Sequence, residues 1–173
     1  MFRLDEAILV EEAPQVVWAF LANLPVSLTC HRPRRAFHWL SEPQPGPSSR
    51  YQLEQRMLGV TWRQEGRVTR WEPPLSLALA HWTPRWPRWG FGHQLRLAIQ
   101  PVEERAVGAW LSSTVIGRLG PWYAEPLLRL VVRRSMRQQL QALKVAIEST
   151  DKGDSAQQSR SPRLAEVPAA GLG

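Results

Sequence analysis

The chain has 173 residues, 43% of them hydrophobic, with 22 Lys+Arg against 15 Asp+Glu for a net charge of +7, and a single cysteine. That length suits one domain with one core, and a lone Cys30 excludes both a disulfide framework and a cysteine-rich zinc site. No window approaches the roughly 18 uninterrupted apolar residues of a membrane span, and residues 1–10 carry Asp5 and Glu6 where a signal peptide needs a basic start and an unbroken apolar run, so a cytoplasmic address is expected.

Residues 4–10 open the chain as a strand. Pro14 suits a first helical position, where its missing N–H would be unpaired anyway, and Val17, Leu21 and Leu24 follow as a stripe, predicting a short helix over 14–22. Residues 37–41 are a further strand candidate. Tyr51, Leu53 and Met57 then alternate with Gln52, Glu54 and Arg56, Gly59 sits where a hairpin must turn, and Val60, Trp62 and Val68 alternate with Thr61, Arg63, Glu65, Arg67 and Thr69. Such period-two patterns mark half-buried strands.

After the Pro73-Pro74 break comes a strand over 75–82, and after a loop over 83–92 another, in which His93, Leu95, Leu97 and Ile99 alternate with Gln94, Arg96, Ala98 and Gln100. Residues 109–116 form a last strand beyond the 103–108 turn. The pattern then changes period. Over 122–148, Leu128, Val132, Met136, Leu140, Leu143 and Ile147 recur at spacings of four and three and make one continuous apolar face of a long helix. Arg129, Arg133 and Arg137 stand on another side, as a solvated face.

Residues 149–173 contain no aromatic and, as large aliphatics, only Leu164, Val167 and Leu172. They cannot bury enough apolar surface to offset the entropy of ordering, so 1–148 is read as the folded domain and 149–173 as a disordered tail. In that tail Lys152, Arg160 and Arg163 balance Asp151, Asp154 and Glu166, so the whole net charge of +7 lies on 1–148. Arginine supplies nearly all of it, but no reading element for nucleic acid accompanies the charge, so no nucleic-acid partner is expected.

Strand, short helix, about six strands and a long terminal helix make an α+β chain. An antiparallel sheet needs one face covered, and the final helix is the one large amphipathic element that can cover it. A curved antiparallel sheet of six to seven strands wrapped around that helix is the expected architecture, with room for a ligand where the two layers part.

Three stretches carry a family resemblance: residues 13–21 (Ala-Pro-Gln-Val-Val-Trp-Ala-Phe-Leu), residues 68–74 (Val-Thr-Arg-Trp-Glu-Pro-Pro) leading into the next strand, and Leu140-Gln141-Ala142-Leu143-Lys144 with Ile147-Glu148. In this order and spacing the chain resembles the START-like superfamily, also called SRPBCC, with its polyketide cyclase/dehydrase and coenzyme-Q-binding-like branches. The resemblance implies a helix-grip fold and an apolar small-molecule ligand such as a lipid, quinone or polyketide-like compound. It carries over no catalytic residue. The loop over 83–92, with Trp86 and Trp89 beside Arg85 and Arg88, is more aromatic and basic than that pattern.

Signatures for zinc hydrolysis, nucleophile elbows and phosphate cradles are absent from the sequence. Cys30-His31 is too short a start for a four-ligand site, so neither a metal nor a cofactor is expected. His81 and His93 flank the Trp-rich loop and share the parity of the inward leucines. They read either as hydrogen-bonded strand-end histidines or as polar handles in a cavity, able to orient a carbonyl or move a proton near neutral pH. With Tyr51 and Arg70 they are the catalytic candidates of an alternative cyclase or dehydratase reading. The ligand-binding wall is expected to comprise Tyr51, Leu53, Trp62, Val68, Leu77, His81, His93, Leu95, Leu97, Leu128, Val131 and Val132. Trp82, Trp86 and Trp89 could touch a membrane surface or pack over the sheet edge. A monomer or a homodimer fits equally.

Overall fold

A computed structural model describes residues 1–31, 35–42, 45–57, 60–83, 92–103, 107–117 and 125–158. Seven strands form one antiparallel sheet: β1 (Phe2–Val10), β2 (Arg35–Trp39), β3 (Arg50–Met57), β4 (Val60–Glu72), β5 (Ser76–Trp82), β6 (His93–Pro101) and β7 (Ala109–Gly117). Their order across the sheet is β1-β7-β6-β5-β4-β3-β2, so β1 and β2 are its edges. Short helices α1 (Pro14–Ala22) and α2 (Leu24–Thr29) follow β1, and the long helix α3 (Glu125–Gln158) ends the described chain. No helix among the described residues is long and apolar enough to cross a membrane.

The alternation read from the sequence sets which face is covered. Leu77 and Leu79 of β5, Leu95, Leu97 and Ile99 of β6, and Leu111 and Val115 of β7 are buried together with Val17, Leu21, Leu24 and Leu28 of the short helices. Met136, Leu140, Leu143 and Ile147 of α3 close the same core, with Val132 partly buried against it. The helix thus buries the expected stripe from Val132 to Ile147, and the expected grip of sheet on helix is what the chain adopts. Trp18 of α1 meets Trp71 of β4 edge-on, with ring centroids 5.2 Å apart.

Four polar contacts fasten α3 to β1 and the chain just after it. Arg133 and Arg137 both bind the Glu6 carboxylate, the second at 3.1 Å. One turn and more along, the Lys144 ammonium donates to the Leu9 carbonyl at 2.9 Å, and Glu148 accepts the Glu11 backbone N–H at 3.0 Å. The arginine row expected only to be solvated therefore also ties helix to sheet. Glu6 is 13% exposed, and the Arg133 and then the Arg137 hydrogen bond hold its carboxyl below the usual carboxylate range.

Helix α1 has the expected bounds: the Asn23 N–H closes it on the Phe20 carbonyl, and Ser27 N–H then bonds Asn23, starting α2 around Pro25, from which Leu24 joins the same core. Two other features differ from expectation. Helix α3 continues to Gln158 rather than ending at Glu148, because the sequence has no helix-stopping proline before Pro162. The second is a register shift in β4, where the pairing with β5 slips between Val68 and Arg70. A bulge of this kind places two successive residues on one side of the strand.

Candidate functional site

One register level crosses all seven strands. Trp39 faces Tyr51, Tyr51 faces Gly66, Gly66 faces His81, His81 faces His93, His93 faces Gly117, and Gly117 faces Phe2. Tyr51, His81 and Phe2 are buried on the inner face, with His81 6% exposed. His81 and His93 are the last pair of the β5–β6 ladder, as His93 and Gly117 are of β6–β7, while β2, β3 and β4 run on past this level. The two histidines that flank the loop are thus brought together, with ring centroids 5.0 Å apart.

The absence of a side chain at position 66 makes the central contact possible. Neighbouring strands lie about 4.8 Å apart, so Tyr51 on β3 must reach across β4 to meet a residue of β5. A Cβ at Gly66 would come within 2.6 Å of the Tyr51 hydroxyl and closer still to its ring carbons. Glycine leaves that space to the phenol ring, whose oxygen lies 2.8 Å from His81 Nε2. Phe37 of β2 stacks on the Tyr51 ring, with centroids 5.3 Å apart. Gly117 plays the same part beside His93, because a Cβ there would lie 3.0 Å from the His93 Cβ and 2.9 Å from the Gly92 carbonyl.

Desolvation governs the electrostatics of the pair. Burial, then the nearby His93 and the positive charge of Arg35, push His81 down to about 3, so its imidazole is neutral at neutral pH. Burial pushes the Tyr51 phenol well above its ordinary value, with Arg35 opposing only in part. Both groups are therefore neutral, and His81 Nδ1 has no hydrogen-bond partner among the described residues. A shallow hollow beside the two histidines is lined by His81, His93, Gly92 and Gly117 together with Thr69, Ala80, Gln94 and Ile116. The last three stand one residue off the histidine level, so it opens toward the outer face and edge of the sheet, and no described α3 residue lines it.

Of the remaining expected wall residues, Leu53, Val68, Leu77, Leu95 and Leu97 are buried in the core, Val132 packs against it, and Trp62 is half-buried. Two candidates move away. Arg70 is turned out by the β4 bulge, with Val68 inward and Thr69 and Arg70 both exposed, and its guanidinium pairs with Glu72 at 2.7 Å. Val131 is 57% exposed, since one residue along a helix turns the side chain about 100° away from the Val132 stripe. The Leu128 side chain lies outside the described residues, as do Trp86 and Trp89, and Trp82 is half-buried. The Cys30 thiol is half-buried and pushed up by that burial, and no cluster of three His, Cys, Asp or Glu occurs among the described residues.

Sequence reasoning missed Gly66, Gly117, Phe37 and Arg35. The first had a signal: an isolated glycine inside a strand pattern marks a bulge or a close approach. Arg35, Phe37 and Trp39 alternate with Ala36 and His38 in burial, a pattern too short to stand out in five residues.

No protein-family model matches the chain, and no curated protein matches its sequence. Solved structures do match it in shape. The chain is similar to the Zhui aromatase/cyclase of Streptomyces sp. R1128, at 18% identity and a TM-score of 0.64, over 85% of this chain and 93% of that one. It is also similar to a START superfamily protein of Mycobacterium smegmatis, at 12% identity and a TM-score of 0.66, over 86% and 98%. Ara h 8.0201 matches at 10% identity and a TM-score of 0.65, over 86% and 98%. With a seven-stranded curved antiparallel sheet gripping a C-terminal helix, the chain has the START-like, or SRPBCC, helix-grip fold.

Proposed function

We propose that this protein binds an apolar small molecule, of the lipid, quinone or polyketide-like kind, between the sheet and α3, with the Tyr51–His81 pair as its polar fixture. The observation that carries the reading is that pair: two hydrogen-bonding side chains buried among Leu53, Val68 and Leu79 on the inner face. Burying polar groups there costs free energy unless their hydrogen bonds are made. A binding site gives such a cost a purpose, since pockets of this class are mostly apolar walls with a few placed polar groups. The similarity in fold to a START superfamily protein supports the same reading.

Native mass spectrometry of the untreated purified protein, followed by titration with a panel of lipids and aromatic compounds, tests it. A co-purifying apolar species or saturable binding from the panel is expected. The absence of both contradicts it.

The alternative reading is a cyclase or dehydratase-like enzyme. It is favoured by the convergence of Tyr51, His81 and His93, and by the similarity to an aromatase/cyclase. Against it, a general base works best with a pKa near the operating pH, and His81 at about 3 holds a proton poorly at pH 7. The pair is better suited to positioning an oxygen than to storing a proton. Membrane contact through the Trp/Arg loop remains a separate proposal, testable by liposome flotation with Trp86→Ala plus Trp89→Ala.

A further inference from the structure

We propose that the ligand held at the Tyr51–His81 pair carries a ketone-type carbonyl oxygen, which accepts the one hydrogen that the pair cannot place within itself. This rests on the binding function above and adds the chemical class of the ligand's polar end.

The inference follows from counting hydrogens. A phenol brings one O–H and a neutral imidazole one N–H, and a single contact, Tyr51 Oη to His81 Nε2 at 2.8 Å, joins them. If Tyr51 donates to Nε2, the imidazole hydrogen sits on Nδ1, which has no partner among the described residues. If Nε2 donates to Oη instead, the phenol keeps its own hydrogen with no acceptor, and Nδ1 becomes a bare lone pair. Either tautomer leaves one donor over, and a protonated imidazole would leave a second.

Among the described residues no neighbour supplies the acceptor. Gly66 has no side chain, Phe37 offers a ring face, Leu53, Val68 and Leu79 are apolar, and His93, with its ring centroid 5.0 Å from that of His81, makes no hydrogen bond to Nδ1. An unmade buried hydrogen bond is expensive, so a ligand that completes it gains what a hydrocarbon of the same shape forfeits. A carbonyl adds lone pairs and no hydrogen, and so matches the surplus one for one. An alcohol brings a further hydrogen that must itself be placed. A carboxylate brings a charge into a level of the sheet that desolvation already keeps neutral.

Acetylnaphthalene and isopropenylnaphthalene differ by exchange of the carbonyl oxygen for a methylene group and serve as matched probes. Each is titrated into the full chain by calorimetry, and the carbonyl stretch of the bound ketone is read by difference infrared spectroscopy. The ketone is expected to bind about tenfold more tightly or better, with its stretch moved to lower frequency as a hydrogen-bonded carbonyl. In the Tyr51→Phe plus His81→Leu double variant, both the preference and the shift should vanish while the hydrocarbon still binds. Equal binding of the two probes to the parent, or an unshifted carbonyl, overturns the inference and leaves the binding function standing. So does binding of apolar hydrocarbons from a wider panel with none of the ketone. If no apolar compound binds at all, the binding function itself has failed. The parent measurements decide the matter even if the double variant does not fold.

Discussion

Helix α3 is fastened to β1 by charges that keep much of their water, whereas the level through Tyr51 and His81 is fastened by neutral groups that have lost theirs. Arg133 and Arg137 are 52% and 60% exposed where they meet Glu6, while Tyr51 is 0% exposed and His81 6%. Exposed ion pairs contribute little each and weaken with salt. A buried neutral hydrogen bond is insensitive to salt and intolerant of changes in shape or protonation. The first region can be altered at small cost, and the second cannot. That contrast separates a fastening from a site.

The largest effect is expected where the two regions differ in tolerance of shape. Gly66→Val places atoms inside the space of the Tyr51 ring and should cost roughly 3 kcal/mol in urea unfolding, since overpacking of a tight core typically costs 1–3 and occasionally more. Combining it with Tyr51→Ala should recover part of the loss. A fully additive double variant would mean that the ring does not occupy that space.

Acid separates the regions next. His81 has its native pKa depressed to about 3 from an ordinary value of 6.5, so below about pH 6.5 the unfolded chain binds a proton that the native state refuses. Stability is therefore fully present above pH 6.5 and falls by about 1.4 kcal/mol per pH unit on the way down toward pH 3. Glu6, also depressed but as a carboxylate, loses its contribution only as pH falls below its ordinary value of 4.5. Unfolding measured between pH 6.5 and 5 should thus show a slope in the parent that His81→Gln flattens and Glu6→Gln leaves in place.

Smaller effects belong to the fastening. Glu6→Gln should cost about 0.5–1 kcal/mol near neutral pH, less in high salt, because its partners are solvated. Arg70→Ala should change stability and ligand binding by less than about 0.5 kcal/mol, as expected for an exposed residue outside the core. A marked loss of binding in Arg70→Ala would return it to the site.

Much of this contrast was legible in the sequence, and the reason is periodicity. The leucines of β5 and β6 alternate cleanly, so the inward parity of His81 and His93 could be read from theirs, as could the Met136, Leu140, Leu143 and Ile147 stripe of α3. Parity fails where a strand is irregular. The bulge at Val68/Arg70 reverses the face of everything after it and turned Arg70 outward, and no sequence period records one extra residue. The Tyr51–His81 contact spans two strands, so its partners are 30 positions apart. Only the side-chain-free Gly66 hinted at it. Arg133 and Arg137 looked like a solvent face because their partner, Glu6, lies at the other end of the chain.

The central claim is that His81 is a buried neutral imidazole bonded to Tyr51. Nitrogen NMR of the histidine rings across pH 7.5 to 4.5 tests it most directly. The account predicts that the His81 resonances hold the pattern of a neutral ring throughout that range, and that Tyr51→Phe perturbs them. A His81 that titrates with an ordinary midpoint near 6.5, indifferent to Tyr51→Phe, would contradict it.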